Sequence, residues 1–130
     1  MLKFVRDIMH TGDAIPIKPL GTKMSDALVE MSSKGFGCVC IVDHGGEIAG
    51  IITDGDLRRH MGLGPDLMTA RVDLVMTRNP RTIAPGMLAS EIMRESVDSS
   101  KPAVMVLIVA EGNKPVGIVH VHDVLRAGVA

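Results

Sequence analysis

An α+β fold of two β-α-β-β-α units is what this chain of 130 residues predicts, and three observations predict it. The first is an internal repeat. Val5-Arg-Asp-Ile-Met9 returns as Val72-Asp-Leu-Val-Met76, and Gly50-Ile-Ile-Thr-Asp-Gly-Asp56 returns as Gly117-Ile-Val-His-Val-His-Asp123. Met9 to Met76, Gly50 to Gly117 and Asp56 to Asp123 are each 67 residues apart, so register holds at both ends of the unit. Ile17 and Pro19 pair with Ile83 and Pro85 at a spacing of 66, a one-residue slip that a loop absorbs. Such a duplication implies two small modules packed with pseudo-two-fold symmetry and a ligand cleft between the copies. The second observation is that β-rich runs and 3.6-period apolar stripes follow in the same order in both halves. The third is composition. With 46% hydrophobic residues but only 2% aromatic, no Trp, no Tyr and ten Met, the core is one of Val, Ile, Leu and adaptable thioethers.

The elements follow in order. Ala14-Ile-Pro-Ile17 is a short β-rich run that Pro16 keeps at an edge or a strand start. Thr22 can cap a helix through its hydroxyl, and Met24, Ala27, Leu28 and Met31 give that helix one apolar stripe that Gly35 and Gly37 end. Cys38-Val-Cys-Ile-Val42 reads as a buried strand, Asp43-His-Gly-Gly46 as a hairpin turn and Glu47 to Thr53 as the return strand. Asp54-Gly-Asp56 opens a helix through Leu57, Arg58, Arg59 and His60. The second copy repeats this order. Thr82-Ile83 is the short strand, Met87 to Val97 the helix with Leu88, Ile92 and Met93 on its face, and Val104 to Val109 the buried strand. Glu111-Gly-Asn-Lys114 is the turn, Val116 to His120 the return strand, and a last helix runs from His122 into Leu125 and Ala127. Met24, Leu28, Met31, Leu88 and Ile92 are the predicted core of the helices. The first repeat covers 1–62, a linker 63–71 begins in Gly62-Leu-Gly-Pro65 and carries a short helical piece from Asp66 toward Met76, and the second repeat covers 72–130.

Several function classes are disfavoured. Net charge is −1 and pI about 6.5, which leaves no basic footprint for nucleic acid. Two Phe offer no stacking platform for single strands. The longest apolar run, Ala103 to Ala110, has eight residues, against the about 20 of a membrane helix. Met1-Leu-Lys-Phe4 lacks the apolar core of a secretory signal. Cys38 and Cys40 lie on one face of a strand, roughly 6.6 Å apart, a poor disulfide geometry that reads as two small buried hydrophobes in a reducing cytoplasm. They have no neighbouring His and sit in an apolar strand, the wrong setting for a reactive thiolate. Glu30, Glu91 and Glu95 fall on helix faces as solvated charge. No nucleophile and base pair stands out, so no catalytic residue is assigned and the chain by itself is expected not to be an enzyme.

The chemistry concentrates where the return strands end. Thr53 closes its strand with a hydroxyl directed at the next helix, whose free N–H groups and positive dipole end favour phosphate. Asp56 can accept two hydrogen bonds from vicinal ribose hydroxyls, as carboxylates do in dinucleotide folds. The alternative is that Thr53 and Asp54 only cap the helix. Arg58 and Arg59, one turn on, reach either an anionic ligand or solvent. In the second copy His120 replaces Thr53 while Asp123 keeps the place of Asp56. A His still donates to phosphate, more strongly when protonated near its usual pKa of about 6.5, while its bulk tends to close the second cleft. One competent site and one altered site are expected. His120 and His122 alternate and can face a metal together, yet no third ligand clusters with them, so no metal is assigned. Asp54 and Asp56 mimic the opening of a calcium loop, but Leu57-Arg58-Arg59 supplies no acidic ligand.

Two β-α-β-β-α copies, each opening on a Met element and closing on Gly-h-h-(Thr/Ser)-x-x-Asp with h apolar, resemble a tandem pair of CBS domains over essentially the whole chain. More narrowly, Asp7-Ile-Met-His-Thr-Gly-Asp13, Gly50-Ile-Ile-Thr-Asp-Gly-Asp-Leu-Arg-Arg59, Asp73-Leu-Val-Met-Thr-Arg-Asn-Pro80 and His120-Val-His-Asp-Val-Leu-Arg-Ala-Gly128 are similar to the C-terminal region of bacterial D-arabinose 5-phosphate isomerases. In that family the pair follows a sugar isomerase domain, and here the repeats consume the chain. The resemblance therefore implies a regulatory part of such a parent, cytoplasmic and homodimeric through exposed helix faces. It also implies that Thr53 holds a nucleotide phosphate, that Asp56 and, in the second copy, Asp123 hold a ribose, and that the backbone of Ile17 and Cys38 lies beside the base. No cofactor is required. The expected partner is a nucleotide or nucleotide-sugar, CMP-Kdo (the activated ester of 3-deoxy-D-manno-octulosonate) before AMP or ATP. CMP-Kdo ends the pathway that such an isomerase opens, and its sugar carboxylate suits Arg58 or Arg59. The alternative is a structural dimerisation module that binds no ligand.

Overall fold

The computed structural model describes residues 2–96 and 105–128. In chain order the helices are α1 (Val5–Ile8), α2 (Met24–Lys34), α3 (Asp54–Arg59), α4 (Asp66–Thr69), α5 (Val72–Val75), α6 (Ala89–Ser96) and α7 (Val121–Arg126). The strands are β1 (Ile17–Pro19), β2 (Cys38–Val42), β3 (Ile48–Thr53), β4 (Thr77–Arg78), β5 (Thr82–Ile83), β6 (Val106–Glu111) and β7 (Lys114–His120). The predicted ends at Val97 and Val104 lie outside the described residues. No helix among the described residues is long and apolar enough to cross a membrane.

Two compact units divide the chain, Asp13–Pro80 and Met1–Gly12 with Arg81–Ala130. The first holds a sheet in the order β1-β2-β3-β4, with β1 parallel to β2 and the other neighbours antiparallel. In β2, Cys38, Val39, Cys40 and Ile41 are all fully buried, which explains an uninterrupted apolar run where a half-exposed strand would alternate. Val39 and Ile41 join Ile52 of β3, Met24, Ala27, Val72 and Val75 in one core cluster. Each fully buried Val or Ile there contributes about 1.5–3 kcal/mol. The second unit has the sheet β5-β6-β7, parallel then antiparallel. Its core gathers Val5, Ile83, Ile92, Leu107, Val109, Val119 and Val124.

The unit of packing is not the unit of duplication. Helix α1 opens the first sequence repeat, yet Val5 is buried in the core of the second sheet, and His10 exchanges two backbone hydrogen bonds with Ile118, at 2.9 and 3.0 Å. Helix α5 opens the second repeat and is buried in the core of the first sheet. Each Met element thus lies with the other copy's closing motif. The glycines of that motif supply the reason for their presence. A Cβ on Gly117 would stand 2.5 Å from Met9 Sδ, and one on Gly50 would stand 2.8 Å from both Met76 Sδ and the Thr77 carbonyl oxygen. Only a bare Cα lets the methionine lie across the strand.

Local punctuation follows its residues closely. Gly35 ends α2 in the left-handed region (φ 78°) with its N–H on the Met31 carbonyl. Asp43 Oδ1 accepts from Gly45 N and Glu47 N, both at 2.9 Å, to shape the β2–β3 turn. Gly112 and Asn113, both with positive φ, form the two-residue turn between β6 and β7. Other expectations are corrected. The first strand starts at Ile17, not Ala14, because Pro16 donates nothing to the ladder. Thr22 is not the cap of α2. Lys23 holds that position, the Thr22 hydroxyl donates to the Pro19 carbonyl at 2.7 Å, and the Met24 N–H is taken by the Ala70 carbonyl at 2.8 Å. The second-copy helix begins at Ala89 rather than Met87. Met24, Met31 and Ile92 are core, whereas Leu28 and Leu88 are only half-buried.

Candidate functional site

Strand register brings most of the predicted residues of the first unit to one end of its sheet. Cys38 stands directly opposite Thr53, and Ile17 pairs with Cys40. Thr53 is the N-cap of α3, and Asp56, three residues on, reaches back to it. Asp56 is 2% exposed. Its Oδ2 accepts from Thr53 N at 2.9 Å and from Thr53 Oγ1 at 3.1 Å, while Oδ1 accepts from Thr77 Oγ1 at 2.6 Å and from the Arg59 guanidinium. Burial is the largest single influence on this carboxyl and pushes its pKa up. The donors from Thr77, the Thr53 backbone, Arg59 and the Thr53 hydroxyl outweigh it and hold the pKa below the usual value. The carboxylate is therefore ionised, and both its oxygens accept from donors of its own unit.

Arg58 and Arg59 gather beside Thr53. The position of a Cβ on Gly55 lies 3.4 Å from Arg59 Nη1, 3.5 Å from Thr53 Oγ1 and 3.9 Å from Arg58 Nη2. Two guanidiniums and a hydroxyl thus flank one glycine, a set of donors suited to an oxyanion. The seat owes little to helix α3 itself, which has only six residues. The Ile17 N–H is occupied by Glu30 Oε2 at 3.1 Å. The Cys38 thiol is fully buried, and burial first, then the charges of Cys40 and Asp54, pushes its pKa up to about 12.

In the other unit the same frame carries different groups. Asp123 Oδ2 accepts from His120 N at 2.8 Å, and Oδ1 accepts from Arg126 Nη2 at 2.9 Å and from His10 Nε2 at 3.0 Å. Burial pushes the Asp123 pKa up, but the bonds from His10 and His120 and the charges of His10 and Arg126 bring it below the usual value. His120 caps α7, its Nδ1 accepting from His122 N at 3.0 Å. Burial, His122 and Arg126 lower the His120 pKa against the opposing pull of Asp123. The His120 ring is thus held toward its neutral form in the helix cap, with Nε2 as its donor. The His120 and His122 rings lie 4.4 Å apart, and among the described residues no group of three or more metal-ligating side chains forms.

Sequence reasoning missed Thr77 and His10, the residues that complete the two carboxylate clusters. A signal was present: each directly follows the repeated methionine, at a spacing of 67.

A family model for the CBS domain matches residues 5–63 and again 70–130. The chain belongs to the CBS domain family, in two copies. This CBS pair is similar to the arabinose 5-phosphate isomerase KdsD of Pseudomonas aeruginosa, with 40% identity over 129 residues, which is 99% of the chain and 39% of the relative. Against the Escherichia coli K12 isomerase of the same name the identity is 41%, over 99% of the chain and 38% of the relative. The pair thus spans about two fifths of the length of the curated relatives it matches. Among solved structures it resembles CBSX2 in complex with AMP, with TM-score 0.77 and 21% identity over 96% of this chain and 95% of that one. It also resembles the CBS domain pair of protein MJ0100 in complex with 5′-methylthioadenosine and S-adenosyl-L-methionine, with TM-score 0.77 and 22% identity over 98% and 97%. These likenesses establish the α+β CBS-pair fold.

Proposed function

We propose that this CBS pair is the regulatory, ligand-sensing part of an arabinose 5-phosphate isomerase, and that it takes a nucleotide or nucleotide-sugar at the Thr53 end of its first unit. The observation that carries the proposal is the convergence of the Thr53 hydroxyl with Arg58 and Arg59 around Gly55. That set supplies hydrogen bonds and positive charge to phosphate, and Asp56 next to it supplies an acceptor for ribose hydroxyls. Relatives of the same fold carry AMP and S-adenosyl-L-methionine, which supports a nucleoside-bearing ligand. CMP-Kdo ranks first, because its phosphate and its sugar carboxylate give each guanidinium an anionic partner, and AMP or ATP ranks second. In this reading the parent carries a sugar isomerase domain, works in the cytoplasm at the head of Kdo and lipopolysaccharide synthesis, and is held as a homodimer. Val29 and Leu125, 69% and 52% exposed on α2 and α7, offer apolar contacts for the dimer.

A second reading, a dimerisation module that binds no ligand, is favoured by one observation: the Asp56 oxygens are already engaged by the protein's own donors. Thermal melting with CMP-Kdo, CMP, AMP and ATP separates the two. A ligand at 100 times its Kd adds about 2.7 kcal/mol to the native state. Stabilisation by CMP-Kdo beyond that by CMP supports the first ligand, and stabilisation by AMP alone supports the second. An unchanged melt with all four, from a protein that sediments as a dimer, leaves the structural reading.

A further inference from the structure

We infer that Thr77 is a latch on the nucleotide site, competing with ligand for the Asp56 carboxylate; the inference rests on the ligand-sensing function proposed above. Asp56 Oδ1 is shared between two donors of unlike character. Arg59 is a neighbour on the same helix, three residues away, whereas Thr77 comes from β4, 21 residues on, and donates at 2.6 Å. Strand β4 has two residues and sits at the edge of its sheet, paired with β3 through Gly50↔Arg78 and Ile51↔Thr77. Thr77 itself is exposed. Its hydroxyl can therefore leave the carboxylate for water without opening the core, while the Thr53 N–H continues to hold Oδ2.

A ribose hydroxyl approaching Asp56 seeks an acceptor lone pair, and the one that can be vacated at least cost is that used by Thr77. Ligand and Thr77 exclude each other there. Occupancy then removes the Thr77 side-chain tether from β4, the continuation of the arm that begins with α5 and seats Met76 over Gly50. The site is thereby coupled to the arm by exchange of one hydrogen bond rather than by distortion of the sheet. In the second unit the equivalent hold on Asp123 is His10, so the two arms are latched by different chemistry.

The test uses the 130-residue chain with AMP as probe, titrated calorimetrically into wild type, Thr77→Val, Thr77→Ser and Asp56→Asn, each checked for folding by thermal melting. Valine keeps the shape and removes the donor. The latch predicts that Thr77→Val binds AMP about tenfold more tightly, the worth of one hydrogen bond to a charged acceptor. Thr77→Ser returns to the wild-type affinity, and AMP speeds amide exchange at Thr77 and Arg78 in the wild type. A merely structural Thr77 would weaken binding when truncated. Equal or weaker binding by Thr77→Val, or unaltered exchange at β4 on saturation, overturns the latch while binding lost only in Asp56→Asn keeps the ligand site. Absence of AMP binding to folded wild type and folded Thr77→Val overturns the latch together with the adenine-nucleotide reading.

Discussion

Replacing Gly117 or Gly50 by alanine tests how the arms are seated, and the two positions respond differently. Neither glycine has a positive φ, so alanine is admissible in backbone terms and by itself stabilises by about 0.4–1 kcal/mol through the unfolded chain. Against this stands the new methyl group. At Gly117 its three nearest neighbours all belong to Met9: Sδ at 2.5 Å, Cγ at 2.9 Å and Cβ at 3.1 Å. Overpacking of this kind costs about 1–3 kcal/mol, so Gly117→Ala is net destabilised by up to about 2.6 kcal/mol. At Gly50 the methyl group meets Met76 Sδ at 2.8 Å and also the Thr77 carbonyl oxygen at 2.8 Å. Backbone cannot rotate aside, so Gly50→Ala is the worse of the two. A double-mutant cycle read by urea denaturation sharpens the contrast. Met9→Ala removes every methionine atom that collides with the added methyl group except the Met9 Cβ, giving a favourable coupling of about 1 kcal/mol or more. Met76→Ala leaves the carbonyl clash at position 50 in place and rescues less. A Gly117→Ala protein as stable as wild type, or equal rescue at both sites, is incompatible with methionines seated across these glycines.

Without nucleotide, Asp56→Ala costs about 1–3 kcal/mol at neutral pH, because the Thr53 N–H loses its acceptor, while Arg59 and Thr77, being exposed, return to water. Since the folded pKa of Asp56 is depressed, that stabilisation is present above the unfolded value of about 3.9 and is lost as pH falls through the folded pKa. The urea midpoints of variant and wild type therefore converge in acid, and a gap that persists there excludes the carboxylate as its source. The His120 pKa is also lowered, so the neutral ring's contribution is present above about 6.5 and is lost as pH drops below it. His120→Gln, followed by thermal melting against pH, removes an acid-side loss that begins in that range. Cys38 and Cys40, with pKa values raised to about 12, remain unmodified by a disulfide reagent at pH 8 in the native protein and react in denaturant. Their contribution is complete below the unfolded value of 9.0 and declines as pH rises toward about 12, and rapid native-state labelling at pH 8 refutes their burial.

Features that depend on neighbours along the chain are legible before it folds. The 67-residue register, the Gly35 stop, the Asp43 turn and the strand at Thr82–Ile83 all rest on short-range sterics and hydrogen bonds that travel with a few residues. So does the pairing of Thr53 with Asp56, three apart, and of His120 with Asp123. Features that depend on distant segments emerge only once the chain has folded. Thr22 looked like a cap because its hydroxyl suits a free first-turn N–H, but Ala70, brought in from 46 positions along by the α4–α5 segment, already accepts the Met24 N–H. The donors that complete the two carboxylate clusters come from far along the chain: Thr77 is 21 residues from Asp56, and the His10 hold on Asp123 spans 113. The exchange of arms between copies is invisible to the repeat for a physical reason. Two nearly identical Met elements fit two nearly identical glycine-bearing strands equally well as local pattern, and only the path of the folded chain selects which methionine lies across which glycine.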